Sequence, residues 1–175
     1  MEATANLGFL TIAQDNGSYV GGYLVANQWG RPLEFRLTSA IQPNKVQHIL
    51  YGPSLKPYIC ADLLGKTLVE KTGTPVAAVI TDCEAALDVR LSLPIPVAWL
   101  TLHDHPLVQK AEAAGLLLKC ANGKVLILHQ QHPEDVESLR ALLATTVGLD
   151  VAEPFTRIAD ALAEARKLGA VSRAA

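Results

Sequence analysis

The sequence predicts a single α+β domain on a mixed, mainly antiparallel sheet, with an N-terminal three-stranded meander, helices on one face and a C-terminal helical hairpin. Three observations predict it. Residues 31–38 alternate Leu33, Phe35 and Leu37 with Glu34, Arg36 and Thr38, the period-two pattern of a strand with one face in a core and the other in water. Residues 76–102 read strand, short helix, strand, the order of a compact βαβ unit with parallel strands. Asn122-Gly123 then separates two short apolar runs, the strongest short-range hairpin signal in the chain.

The meander begins with a β-prone run from Gly8 to Ala13, turned by Asp15-Asn16-Gly17-Ser18 into a second strand from Tyr19 to Asn27. Gly21-Gly22 inside that strand implies a bulge or a close backbone approach. Asn27 to Gly30 turns the chain into the alternating strand, which Pro43-Asn44 stops. Lys45 to Tyr51 has room for two helical turns before Gly52-Pro53-Ser54. From Leu55 to Lys71, Ile59, Leu63, Leu64 and Leu68 recur at helical spacing, with Asp62/Lys66 and Lys66/Glu70 as i,i+4 pairs on the wet side.

Val76–Ile80 and Pro96–Leu102 read as buried strands flanking a helix at Glu84–Arg90. Pro106 suits the first turn of a helix that Gly115 caps. Leu116–Cys120 and Lys124–His129 form the hairpin. Helices follow at 133–147, with Val136, Leu139, Leu142 and Leu143 inward, and at 154–168, with Phe155, Ile158, Leu162 and Ala165 inward. Nothing divides the chain, so residues 1–175 read as one domain with an ordered core at 7–169 and a frayed tail at 170–175.

Composition narrows the function classes. The 175 residues are 50% hydrophobic and 18% charged, with a formal charge of −2. That excludes a disordered solvating segment and leaves no positive excess to hold nucleic acid or an anionic membrane surface. No apolar run is long enough to span a bilayer. Cys60, Cys83 and Cys120 are widely spaced and odd in number, the usage of a reducing compartment, so the expected location is cytoplasmic.

His103-Asp104-His105 and His129-Gln130-Gln131-His132 each follow a strand and invite a four-histidine metal site. Strand direction argues against one, because the hairpin sends its second strand back and leaves the two pairs at opposite sheet edges, about 17 Å apart. No metal and no cofactor is expected. The same argument brings Asp82 and Cys83 to the edge that carries His103 and His105. Cys83 at a helix N-terminus would have a lowered pKa, and either imidazole would serve as its base, so Cys83, His103 and His105 are the candidate catalytic residues. The plain alternative makes Asp82 a helix N-cap, Cys83 a small filler and the His-Asp-His run a polar loop. Gly65-Lys66-Thr67 copies the end of a phosphate loop, but Cys60 stands where its first glycine belongs.

Two resemblances attach to the chain, the first over about residues 19–64 and the second over nearly its whole length. Pro43-Asn44 ahead of Ile59-Cys60-Ala61-Asp62 is similar to the active-site region of ubiquitin-conjugating enzymes, with Gln42 where that family has histidine and about twice its spacing to the cysteine. Gly21–Val25, Gly30–Arg36, Pro43-Asn44, Ile49–Pro53, Leu55–Tyr58 and Glu153–Ile158 together resemble a bacterial protein family of uncharacterised function. That likeness implies one intact domain and no particular activity.

The leading expectation is therefore a non-catalytic interaction or regulatory module, with a small Cys/His-dependent hydrolase or transferase, or a small-ligand sensor, as alternatives. Trp29 at a hairpin tip, Ile95 between prolines and the alanine-rich last helix have no obvious place in one modest core. They point to a protein partner or a homodimer through the meander tip or the terminal helices.

Overall fold

In the computed structural model, which describes residues 5–146 and 148–169, one seven-stranded sheet runs in the order β3-β2-β1-β4-β5-β7-β6. Its strands are β1 (Leu7–Asp15), β2 (Ser18–Ala26), β3 (Pro32–Leu37), β4 (Ala78–Thr81), β5 (Val97–Leu102), β6 (Leu117–Lys119) and β7 (Lys124–Leu128). β1, β4 and β5 are parallel neighbours at the centre, and every other pairing is antiparallel. The frayed tail expected at 170–175 lies outside the described residues.

The helices are α1 (Lys45–Tyr51), α2 (Leu55–Pro57), α3 (Lys66–Lys71), α4 (Val108–Ala113), α5 (Asp135–Ala144) and α6 (Glu153–Lys167). The single helix expected from Leu55 to Lys71 is interrupted by a π-helical stretch, Tyr58–Gly65, between α2 and α3. The short helix after β4 is a 3-10 segment, Glu84–Ser92.

The helices cover both faces of the sheet, not the single face the pattern suggests. Leu7, Phe9, Ile80 and Leu100 pack with Val136, Leu139, Phe155 and Ile158 of α5 and α6 on one side. Leu10, Val25, Val79 and Val97 pack with Ile59, Leu64, Leu68 and Val89 on the other. The central parallel strands are apolar at successive positions, and such strands need cover on both sides.

Gly21 and Gly22 show what that cover demands. A Cβ at Gly21 would stand 2.7 Å from Leu68 Cδ1, and one at Gly22 would stand 2.7 Å from Ile158 Cγ2. The glycine pair is thus the close approach, admitting α3 on one face and α6 on the other, while the bulge falls later, at Val25/Ala26. Two-residue turns at Asn16-Gly17 and Asn122-Gly123 have positive φ at both positions, as the twist of tight hairpins requires.

One buried ion pair joins the two layers. Arg90 of the 3-10 segment donates to both carboxylate oxygens of Asp135 at 2.6 and 3.2 Å, and to the Leu93 carbonyl at 2.7 Å. Removing either partner would strand a buried charge, a cost of about 3–5 kcal/mol.

Candidate functional site

Two places in this framework bring unusual chemistry to the surface. The first is the free edge of the sheet at β3. Thr38 N–H donates to Gly21 O at 2.9 Å, so by the two-residue period the main-chain groups of Arg36 and Glu34 also point to β2. Those of Phe35 and Leu37 turn outward, and among the described residues no backbone hydrogen bond takes them up.

The side chains on this edge are not those of a buried strand. Leu33 is 47% and Phe35 37% exposed, with Trp29 at 73% beyond them on the hairpin tip. The alternation places Leu33 and Phe35 in the core; in the structure they face the α6 side of the sheet, but α6 packs chiefly over β1 and β2 and leaves both exposed. The opposite face of β3 is polar. Glu34 accepts from Arg36 Nε at 2.8 Å and from the Gly73 and Thr74 N–H groups at 3.2 and 2.9 Å. Hydrogen bonds from Thr74, side chain and backbone, lead in holding its carboxyl down at about 2. A groove of about 490 Å³ runs beside the strand, between Phe35–Ser39 and Thr67, Leu68 and Lys71.

The second place is the carboxyl end of β1, β4 and β5, where the turn after β4 sends successive side chains to opposite faces. Asp82 accepts from the Thr11 hydroxyl at 2.6 Å and borders a groove of about 490 Å³ lined also by Thr101, Lys124, Phe155 and Asp160. Desolvation raises its carboxyl above the ordinary carboxylate range.

Cys83, the next residue, joins the other face. There it packs against the buried cluster that contains Cys60. Tyr19, near both cysteines and Lys56, completes the cluster, and burial raises its phenol above the usual range. The hydrogen bond from Cys60 leads in lowering the Cys83 thiol to about 7, whereas the same contact and burial push Cys60 up.

The histidines at this edge are engaged elsewhere. His103 Nδ1 lies 3.1 Å from Gly123 O, at the turn between β6 and β7. The His105 ring packs edge-on against Trp99 at 4.9 Å and accepts from Leu107 N–H. Among the described residues no hydrogen bond joins Cys83 to either imidazole, and its thiol partner is Cys60. His129 sits beyond the other end of the sheet, because β7 runs back along β5 from Lys124 opposite Leu102 to Leu128 opposite Ala98. There its Nδ1 accepts from Gln131 N–H, leaving Nε2 to donate to Asp88 at 3.3 Å. His132 contacts Glu134 at 2.9 Å.

Cys60 lies on the inner side of its helical run at 0% exposure, so a bulky acyl donor has no path to it and the likeness to conjugating enzymes does not extend to their chemistry. Sequence reasoning misses Cys60 as the neighbour of Cys83, and it misses Lys56 and Tyr19. Neither spacing nor periodicity signals that grouping, which exists only once the π-helical stretch packs on the 3-10 segment. Among the described residues no helix is long and apolar enough to cross a membrane.

No family model matches the chain, and no curated protein matches it. The crystal structure of a protein of unknown function from Archaeoglobus fulgidus DSM 4304 is similar to it with a TM-score of 0.45 and 10% sequence identity, over 77% of this chain and 86% of that one.

Proposed function

We propose that the protein is an interaction module that works as a two-fold homodimer, joined by antiparallel pairing of β3 with β3 of a second copy. The observation that carries this reading is the self-complementary order Leu33-Glu34-Phe35-Arg36-Leu37 on an open edge. Centred on Phe35, an antiparallel pairing sets Glu34 of each copy opposite Arg36 of the other, Phe35 opposite Phe35, and Leu33 opposite Leu37.

The backbone supports the same centre. Phe35 turns its N–H and C=O outward, so two such residues would exchange both hydrogen bonds across the axis, and Glu34/Arg36 would occupy the more closely spaced positions beside it. Cross-strand pairs of opposite charge and of aromatic residues each stabilise a sheet by roughly 0.2–1 kcal/mol. A two-fold contact repeats the charged pair on either side of the axis, with the Phe35 pair on the axis itself, and isologous two-fold dimers are the commonest closed assembly. The groove between β3 and α3 gives the incoming strand room.

Light scattering over a range of concentrations, with amide hydrogen exchange, tests the reading. The expected result is a mass of twice 18.7 kDa and slowed exchange at Phe35 and Leu37. A mass fixed at that of one chain at high concentration overturns it.

A further inference from the structure

We propose that Cys83 is a hydroperoxide-reactive thiol and Cys60 the residue that resolves its oxidised form, so that the pair closes an intramolecular disulfide between the π-helical stretch and the 3-10 segment. This site is separate from the β3 edge and stands without it.

The geometry assigns the two roles. Cys83 is half-buried, in extended backbone at the end of β4, and its own carbonyl accepts from Ala86 N–H at 3.0 Å as the 3-10 segment begins. Cys83 stands at the N-terminal end of that segment, where the partial positive charge of the first N–H groups favours a thiolate. Cys60 has 0% exposure, so an oxidant from solvent meets Cys83 first. Cys60 nevertheless belongs to the cluster that Cys83 packs against, where the π-helical stretch meets the 3-10 segment, placed to attack a sulfur that has already reacted. Its helical run departs from α-geometry at this point, and π-helical turns recur at functional positions. Cys83 with a pKa lowered to about 7 would be substantially ionised at neutral pH, near the optimum for an attacking thiol.

The steps balance. The Cys83 thiolate attacks one oxygen of a hydroperoxide, the S–O bond forms as the O–O bond breaks, and the alkoxide or hydroxide leaves and takes a proton from water. Cys83 is then a sulfenic acid, oxidised by two electrons, and the peroxide is reduced by two. The Cys60 sulfur next attacks the Cys83 sulfur. The S–S bond forms, the S–O bond breaks, and the departing hydroxide leaves as water with the Cys60 proton. An external dithiol returns both residues to thiols through a mixed disulfide.

The test is hydrogen peroxide added to the whole protein at a series of pH values, followed by non-reducing peptide mapping and mass measurement. The expected product links the Cys60 and Cys83 peptides, forms faster as pH rises through about 7, and disappears with dithiothreitol. Cys120 serves as the internal reference, since burial raises its thiol above the usual value, and it should react at least tenfold more slowly. Cys60→Ala should stop at a sulfenic acid on Cys83 that dimedone traps, with the pH profile moved upward because the lowering hydrogen bond is gone. Cys83→Ala should leave Cys60 reduced at the same dose. Circular dichroism establishes that each variant is folded, and Cys60→Ser or Cys83→Ser replaces the corresponding alanine variant if it is not. Oxidation of Cys83 no faster than Cys120, or a sulfenic acid on Cys83 that persists while Cys60 remains reduced, overturns the proposal.

Discussion

The two edges of the sheet face the same hazard and meet it differently. An edge strand carries a row of unpaired N–H and C=O groups that another strand can occupy, and folded proteins blunt such edges with short strands, lysines, prolines or covering segments. The β6 edge is blunted in this way. Its strand is three residues long, and Lys119 stands out from it, paired with Glu112 of α4 at 3.4 Å. The β3 edge is six residues long, with Leu33 and Phe35 exposed and its charges in the order that a second copy would match. Pro32 at its start and the bulge at Val25/Ala26 limit pairing at one end and leave Glu34–Leu37 open. One edge is short and carries a paired lysine; the other is longer and open, and it is the one the proposed pairing uses.

The largest effect should come from giving β3 the protection that β6 has. Phe35→Lys would set two like charges across the two-fold axis and remove the central apolar pair. Its expected scattering mass is that of a single chain, with thermal unfolding still cooperative. A dimer that survives this change would show that β3 does not form the contact.

Arg36→Glu is milder and more specific. It sets two carboxylates against each other in each symmetric pair, Glu34 of one copy facing the substituted position of the other. Association should weaken by about tenfold, or ~1.4 kcal/mol shared between the two pairs. A chain carrying Glu34→Arg has the reverse fault, with arginines opposed. Mixed, the two variants regain both opposite-charge pairs, so the mixture should associate more tightly than either alone. A mixture no tighter than its components would break the register, even if the dimer itself persists.

Much of the fold is legible in the sequence because local chemistry and tertiary structure agree. Asn16-Gly17 and Asn122-Gly123 reach positive φ cheaply and become the turns their sequence announces, and α6 buries Phe155, Ile158, Leu162 and Ala165 as its spacing requires. The β3 pattern reads correctly as a strand and wrongly as half-buried, since alternation tells which residues share a face but not whether a helix reaches that face. The helix run 55–71 is legible in its apolar positions, yet its π-helical middle is not, because Tyr58–Gly65 is apolar at nearly every position and shows no face whose period would tell i→i+4 from i→i+5 bonding. Packing also hides the thiol pair. Cys60 can be placed inward from its spacing, while its neighbour Cys83 cannot be named: the two are 23 positions apart in the chain and meet only in the folded protein.

Acid should separate the edges further. Glu34 has an ordinary value of 4.5 and is held at about 2 in the fold, so its folded state binds the proton less readily than the unfolded chain. Its stabilising contribution is therefore whole above about 4.5 and is lost as pH falls from there through about 2. Protonation also removes the charge that faces Arg36 of the other copy. In the folded chain that charge is lost only as pH falls through about 2, so the proposed dimer should weaken there, and Glu34→Gln should flatten its dependence. An unchanged pH profile in Glu34→Gln would assign the acid effect to other carboxylates.

The smallest effect is expected at the blunted edge, and it decides which of two devices blunts it. Lys119 is exposed and its ion pair with Glu112 lies at the surface, where such pairs contribute about 0–1 kcal/mol. Lys119→Ala should therefore shift a urea midpoint very little. If charge alone keeps β6 from pairing, combining Lys119→Ala with Phe35→Lys should give a new assembly through β6, seen as a mass above that of one chain. If length is what matters, three residues supply too few inter-strand hydrogen bonds to offset the ordering of two chains, since a short isolated pair of strands is marginal even within one molecule. The double variant is expected to remain a single chain in scattering, which would leave the short strand as the protecting device and the lysine as a minor addition.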